Sequence, residues 1–147
     1  MNIDTLCGAF ADALSEIIAT VSGVSLDTSA DDNKFDGMVS MMGLNRGVLF
    51  ISAGEQSMRV LCSFMTGVGF DGIMREDMRD ALCELVNMTA GNIKLRISDP
   101  DYMFALTPPF IIDGDNMSLI TKKRVRAVSR KLSDVTGGVC VRLKIVY

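Results

Sequence analysis

Glu84 and Asn87 are the side chains of this sequence whose types and spacing are best suited to chemistry. They lie in Asp80-Ala81-Leu82-Cys83-Glu84-Leu85-Val86-Asn87-Met88-Thr89-Ala90-Gly91-Asn92-Ile93-Lys94, which reads as the middle and end of one long helix. At about 100° per residue, Asp77, Asp80, Glu84, Asn87 and Gly91 fall in one narrow polar stripe. Met78, Ala81, Leu82, Leu85, Met88, Thr89 and Ile93 fall on the side a core would claim. Side chains at i and i+3 are neighbours on a helix surface, so a carboxylate and a carboxamide are presented together. Taken alone, Glu-x-x-Asn is a common exposed polar face, and its weight comes from the longer pattern around it. Asn92 falls on the apolar side and reads as a buried partner of backbone groups.

The elements that must hold this stripe follow from the chain in order. A first helix is expected from Asp4, as N-cap, to about Ser22, with Leu6, Phe10, Leu14, Ile17, Ile18 and Val21 as its apolar face. Val24 to Leu26 reads as a short strand and Asp27 to Lys34 as an exposed loop. Phe35 to Met42 and Arg46 to Ser52 form a hairpin around Gly43-Leu44-Asn45. A second helix, about Gln56 to Met65, ends near Gly67, and the long helix begins around Glu76. Asp99-Pro100-Asp101 breaks it. The last third reads as β: Tyr102 to Leu106, Phe110 to Ile112, Ser118 to Ser129 and Val139 to Tyr147.

Composition narrows the function. The chain has 147 residues, enough for one domain but not two, with 48% apolar and 22% charged residues, which is a globular balance. Its net charge of −3 argues against a nucleic-acid binder. The basic cluster Lys122, Lys123, Arg124, Arg126, Arg130 and Lys131 alternates with apolar residues, as a solvated strand face does. No histidine is present, which excludes histidine triads and histidine metal sites. Cys7, Cys62, Cys83 and Cys140 form no Cys-x-x-Cys pair and read as buried free thiols. The sequence lacks a signal-peptide pattern and a bilayer-length apolar run, so a cytoplasmic location and no membrane insertion are expected.

An internal repeat links the two long helices. Ala13-Leu14-Ser15-Glu16-Ile17-Ile18-Ala19-Thr20-Val21-Ser22-Gly23 aligns without a gap on Ala81 to Gly91, matching Glu16 to Glu84 and Ala19 to Asn87. Strand-like runs follow both copies. The expected fold is α+β, a pseudo-symmetric α-β-β-β repeat whose mostly antiparallel sheet of about six strands has helices packed on one face.

At these residues the chain resembles the CheC/CheX/FliY family of chemotaxis phosphatases. The family's signature places an Asp or Ser four residues before a Glu, an Asn three after it, and a Pro a little over twenty residues later. Here these are Asp80, Glu84, Asn87 and Pro109, with Pro108 a weaker match for the proline, and Gly91-Asn92-Ile93-Lys94 is similar to the family's helix end. The likeness runs from about Phe35 to Tyr147, and one complete site rather than two resembles CheX more than CheC. It implies a single CheX-like domain over residues 1–147 that removes phosphate from the aspartyl phosphate of a CheY-like receiver domain. Asn87 would orient the attacking water and Glu84 would pair with the receiver's active-site lysine, with Asp80, Gly91 and Pro109 in support. It also implies Mg²⁺ supplied by the partner, none bound by this chain, and a homodimer through edge strands. The competing reading is a non-enzymatic, receiver-binding or flagellar-switch-like adaptor.

Overall fold

A computed structural model describes residues 2–22, 26–27, 35–114, 125–134 and 139–146. Three long helices form where the apolar period is 3.6. The first, α1, spans Ile3–Ser22 and buries Leu6, Phe10, Ala13, Leu14 and Ile18. Its N-cap is Asn2 and not Asp4: the Asn2 carboxamide oxygen accepts from Thr5 N–H at 2.8 Å, and Asp4 lies in the first turn, where its charge suits the helix dipole. Helix α2 spans Glu55–Thr66 and ends at Gly67, whose φ of 74° lies in the left-handed region and lets its N–H reach the Ser63 carbonyl. Helix α3, Arg75–Arg96, is held at its start by Asp77, which accepts from Met74 N–H at 2.8 Å. It stops three residues before Asp99-Pro100, and a short 3₁₀ turn, Pro100–Tyr102, follows.

The strands are β1 Leu26–Asp27, β2 Phe35–Gly43, β3 Gly47–Ala53, β4 Phe104–Leu106, β5 Phe110–Asp113, β6 Ala127–Asp134 and β7 Cys140–Val146. All pairings are antiparallel, in the order β1-β6-β7-β3-β2-β4, with β5 also on β2. Among the described residues seven strands therefore occupy six positions. Two short ones share one edge because Pro108 and Pro109 cannot donate to a ladder. Thr107 bridges them on β2, its N–H reaching the Ser40 carbonyl at 3.1 Å and its hydroxyl accepting from Ser40 N–H at 3.0 Å. The last hairpin differs from the sequence reading. Its first strand runs through Leu132 and Ser133 to Asp134, later than the expected Ser118 to Ser129, of which residues 118–124 lie outside the described residues. Val24, Ser25 and residues 28–34, where the sequence suggests an exposed loop, also lie outside them.

The repeat is visible in the topology. The β2–β3 and β6–β7 hairpins meet through β3 and β7 at the centre of the sheet, and each half's remaining edge strand pairs with the other half's hairpin: β1 on β6, β4 and β5 on β2. Helix α1 packs over β6 and β7 while α3 packs over β2 and β3. One face of the sheet, with Phe35, Val39, Leu49, Ile51, Val141, Leu143 and Ile145 fully or almost fully buried, meets the helices in a single core. Each such aliphatic or aromatic side chain contributes about 1.5–3 kcal/mol.

Candidate functional site

Helix α3 carries the site, and its height above the sheet is set at Gly37 of β2. A Cβ on Gly37 would stand 2.7 Å from Val86 Cγ2 and 2.9 Å from Leu82 Cγ, so only a glycine lets the helix come this close. Leu82, Leu85, Val86, Ala90 and Ile93 are fully buried beneath it. The first turns are tied to the end of β5, where Asp113 accepts from Arg75 Nε at 3.1 Å and from Arg79 Nε. Those hydrogen bonds, Arg79's first, hold the Asp113 carboxyl below its usual range. The Arg75 guanidinium also lies over the Phe35 ring, 5.2 Å from its centroid. Arg59 of α2 donates to the Ile73 carbonyl at 2.9 Å and fixes the loop that enters α3. The last turn is held to α1 by Arg96 and Glu16.

With the helix so fixed, the stripe read from the sequence is on the outside. Asp77, Asp80, Glu84 and Asn87 are exposed and Gly91 is half-buried. Met78, Ala81, Leu82, Leu85, Thr89 and Ile93 are buried, whereas Met88 is only half-buried. Helix geometry separates Glu84 from Asn87 by about 4.5 Å along the axis. Among the described residues no side-chain hydrogen bond or ion pair engages either one. Both are left to face whatever approaches. Beside them, the end of α2 and the face of α3 enclose a groove of about 290 Å³ lined by Met65, Thr66, Asp77, Asp80, Ala81 and Glu84. Three carboxylates on its wall favour a cationic side chain. Cys83, adjacent in sequence, is half-buried, and burial first, with the nearby Asp80 charge adding to it, pushes its thiol pKa up. It is a poor nucleophile.

Asn92 departs from the reading made of it. It is half-buried, and its side-chain oxygen is buried without a hydrogen-bond partner. Pro109 can be placed along the helix. Asp113 bonds residues 75 and 79, and Ile111 converges with Leu82 and Val86 on Gly37. Strand β5 thus runs opposite to α3, and two strand residues at about 3.3 Å match roughly four helix residues at 1.5 Å. Pro109, half-buried, lies level with the turn of Asn87. The groove residues Met65 and Thr66 reach the side of Glu84 only through the packing of α2 on α3. Cys7, Cys62 and Cys83 are free thiols, and Cys7, Cys62 and Cys140 are buried. Among the described residues no cluster of three or more acidic or thiol ligands is placed to hold a metal ion. No helix among them is long and apolar enough to cross a membrane.

Comparison with known proteins gives the site a context. A family model described as "Chemotaxis phosphatase CheX" matches residues 35–132, which is 98 of 147 residues. Among solved structures, the chain is similar to the chemotaxis protein CheX from Vibrio vulnificus, with 19% identity and a TM-score of 0.81 over 94% of this chain and 93% of that one. A CheC-like superfamily protein from Shewanella sp. PV-4 shares 24% identity with a TM-score of 0.82, over 99% and 98% of the two chains. A chain of the CheX–CheY–BeF₃–Mg²⁺ complex from Borrelia burgdorferi shares 20% identity with a TM-score of 0.73, over 95% and 94%. No curated protein sequence matches the chain.

Proposed function

This chain belongs to the CheX family of chemotaxis phosphatases, and we propose that it dephosphorylates the aspartyl phosphate of a CheY-like response-regulator receiver domain. The observation that carries the proposal is the row Asp80, Glu84 and Asn87, exposed on a helix whose other face is locked into the core.

An acyl phosphate already has a good leaving group. In hydrolysis, water oxygen bonds to phosphorus, the bond from phosphorus to the carboxylate oxygen breaks, and the water's proton leaves with phosphate or solvent. What the chain must add is a positioned water. The Asn87 carboxamide can accept from that water through Oδ1 and donate to it through Nδ2 without titrating near neutrality. Glu84, one turn earlier, pairs with the receiver's active-site lysine and sets the register between the proteins. Asp80 shares the acidic groove with Glu84, and Pro109 supports the surface at the level of Asn87. Mg²⁺ belongs to the receiver in this scheme, and the CheX–CheY complex that contains Mg²⁺ supports that assignment. The same reading takes residues 1–147 as one cytoplasmic domain and expects a homodimer through edge strands.

The test is a phosphate-release assay with a phosphorylated CheY-type receiver, with and without this protein. Acceleration that disappears when Mg²⁺ is chelated, together with no tight divalent-ion site by calorimetry on the isolated chain, supports the proposal. Binding of the phosphorylated receiver without faster phosphate loss would replace it with the adaptor reading.

A further inference from the structure

The stripe on α3 continues past Asn87. Gly91 stands one turn further and Leu95 one turn beyond that. At 100° per residue, Asp77, Asp80, Glu84, Asn87, Gly91 and Leu95 all fall within about 80° of arc. Gly91 lies inside the helix, where glycine costs roughly 0.5–1 kcal/mol relative to alanine. The fold does not require it: a Cβ there would meet nothing within 4 Å, and its φ is not positive. This is the opposite of Gly37, which the packing demands. A destabilising glycine that the chain itself does not use, on the outer side of a functional helix, leaves room for another backbone.

Leu95 adds a second observation. It is 89% exposed, an unusual state for a leucine on an ordered helix. It borders an apolar pocket of about 120 Å³ lined also by Lys94, Ile97, Tyr102, Met103 and Phe104. For scale, an apolar cavity of roughly 150 Å³ accepts benzene. We propose that Gly91, Leu95 and this pocket form the docking part of the site, where a backbone segment of the partner crosses α3 at Gly91 and an aliphatic side chain from it enters the pocket against Leu95. The occupant is the receiver domain, and the inference rests on the phosphatase reading. Continuity argues for that occupant: Asn87 and Leu95 are about 12 Å apart on one helix face, so a protein engaged at Asn87 covers Gly91 as well. Contacts this far from the reacting phosphorus act alike on ground and transition states, so their loss raises KM and spares kcat.

The experiment uses the full chain with Gly91→Ala, Leu95→Ala and, as control, Gly8→Ala, an equally open glycine in α1. The probes are CheY-type receivers of the source organism, phosphorylated with acetyl phosphate for turnover and loaded with BeF₃⁻ and Mg²⁺ for calorimetry. Both glycine variants should melt about 1–4 °C higher. Gly91→Ala and Leu95→Ala should each raise KM and the calorimetric Kd about tenfold with kcat within about twofold, while Gly8→Ala leaves all three unchanged. A KM unchanged in Gly91→Ala and Leu95→Ala, with turnover intact, overturns the docking surface and leaves the phosphatase reading standing. So does a lower melting temperature for Gly91→Ala, which would mean the glycine serves the fold. A wild-type chain that neither binds the loaded receivers nor speeds phosphate loss overturns both.

Discussion

Gly37→Ala should lift helix α3. On β2, Gly37 pairs with Ile51 of β3 and Ile111 of β5, directly under α3. The added methyl would stand 2.7 Å from Val86 Cγ2, about 0.7 Å short of the 3.4 Å where ordinary contact begins. Leu82 and Val86 are fully buried, so neither can swing into solvent. Overpacking of this kind costs about 1–3 kcal/mol, and alanine recovers roughly 0.5–1 kcal/mol through its smaller loss of backbone entropy. The net of about 1–2 kcal/mol lowers Tm by roughly 2–8 °C for a chain of this size. Val86 immediately precedes Asn87. A shift of several tenths of an ångström there approaches the 1 Å misplacement that costs about 100-fold, so kcat toward a phosphorylated receiver should fall about tenfold. Differential scanning calorimetry and single-turnover phosphate release measure the two effects. Unchanged Tm would show that Gly37 does not set the helix height, and a lower Tm with unchanged kcat would refute the link from β2 to Asn87.

Asn87→Ala should lower turnover by about 100- to 1000-fold while receiver binding by calorimetry stays within about threefold and Tm holds or rises slightly, since the position is exposed and alanine favours helix; full turnover would refute the water-orienting role. The Asp113 carboxyl, depressed first by Arg79 and then by Arg75, binds fewer protons folded than unfolded, so its contribution is complete above an unfolded value near 4 and vanishes as pH falls through the lower folded one. The Tm loss in Asp113→Asn should therefore be largest near pH 7 and shrink as pH falls below about 4, as thermal melts across pH will show. Ala19→Asn should cost only about 0.5 kcal/mol, because Ala19 is exposed; a loss of several kcal/mol in urea unfolding would contradict the equivalence of the two helices. In an Asn87→Ala background it should restore only trace activity, rising when Arg96→Ala releases Glu16.

The helices and the exposed face of the candidate site were legible because both are written in one period. Residues of α3 that share a face at 3.6 per turn are identifiable without knowing what lies beneath, so Asp80, Glu84, Asn87 and Gly91 could be set on one side and Leu82, Leu85 and Ile93 on the other. Leu95 also falls within the stripe, but residue type alone assigns a leucine to the core, whereas it is exposed. Ends were less legible. Asn2 and Asp4 are both capable N-caps, and the choice depends on which backbone N–H groups they reach. The shared edge of β4 and β5 was beyond the sequence because two prolines announce an interruption without saying that the same neighbour receives both strands. The strand of the last hairpin was displaced for a related reason: alternation from Ser118 to Leu132 is continuous enough to support several starts, and pairing with β7 decides among them. Tertiary ties such as Arg75 and Arg79 to Asp113 join residues more than thirty apart and have no local signature.

The two halves of the fold explain why a repeated helix provides one site. The long helix of each half lies over the other half's hairpin, and the two hairpins meet at the centre of the sheet. The equivalent acidic residues therefore begin with the same exposure, and both Glu16 and Glu84 face solvent. Their fates differ in what reaches them. Arg96, at the last turn of α3, donates to Glu16, and those hydrogen bonds and the arginine's charge hold the Glu16 carboxyl below its usual range. Glu16 thus joins α1 to α3. No described side chain reaches Glu84 in that way, and the position that would complete the first motif is Ala19, which offers neither donor nor acceptor. The first copy has become a fastening for the second. An arginine that holds the end of α3 against α1 also limits how far the helix can rock on the sheet. The carboxylate equivalent to Glu84 in the other half is thus tied to the last turn of the helix that carries Glu84 and Asn87.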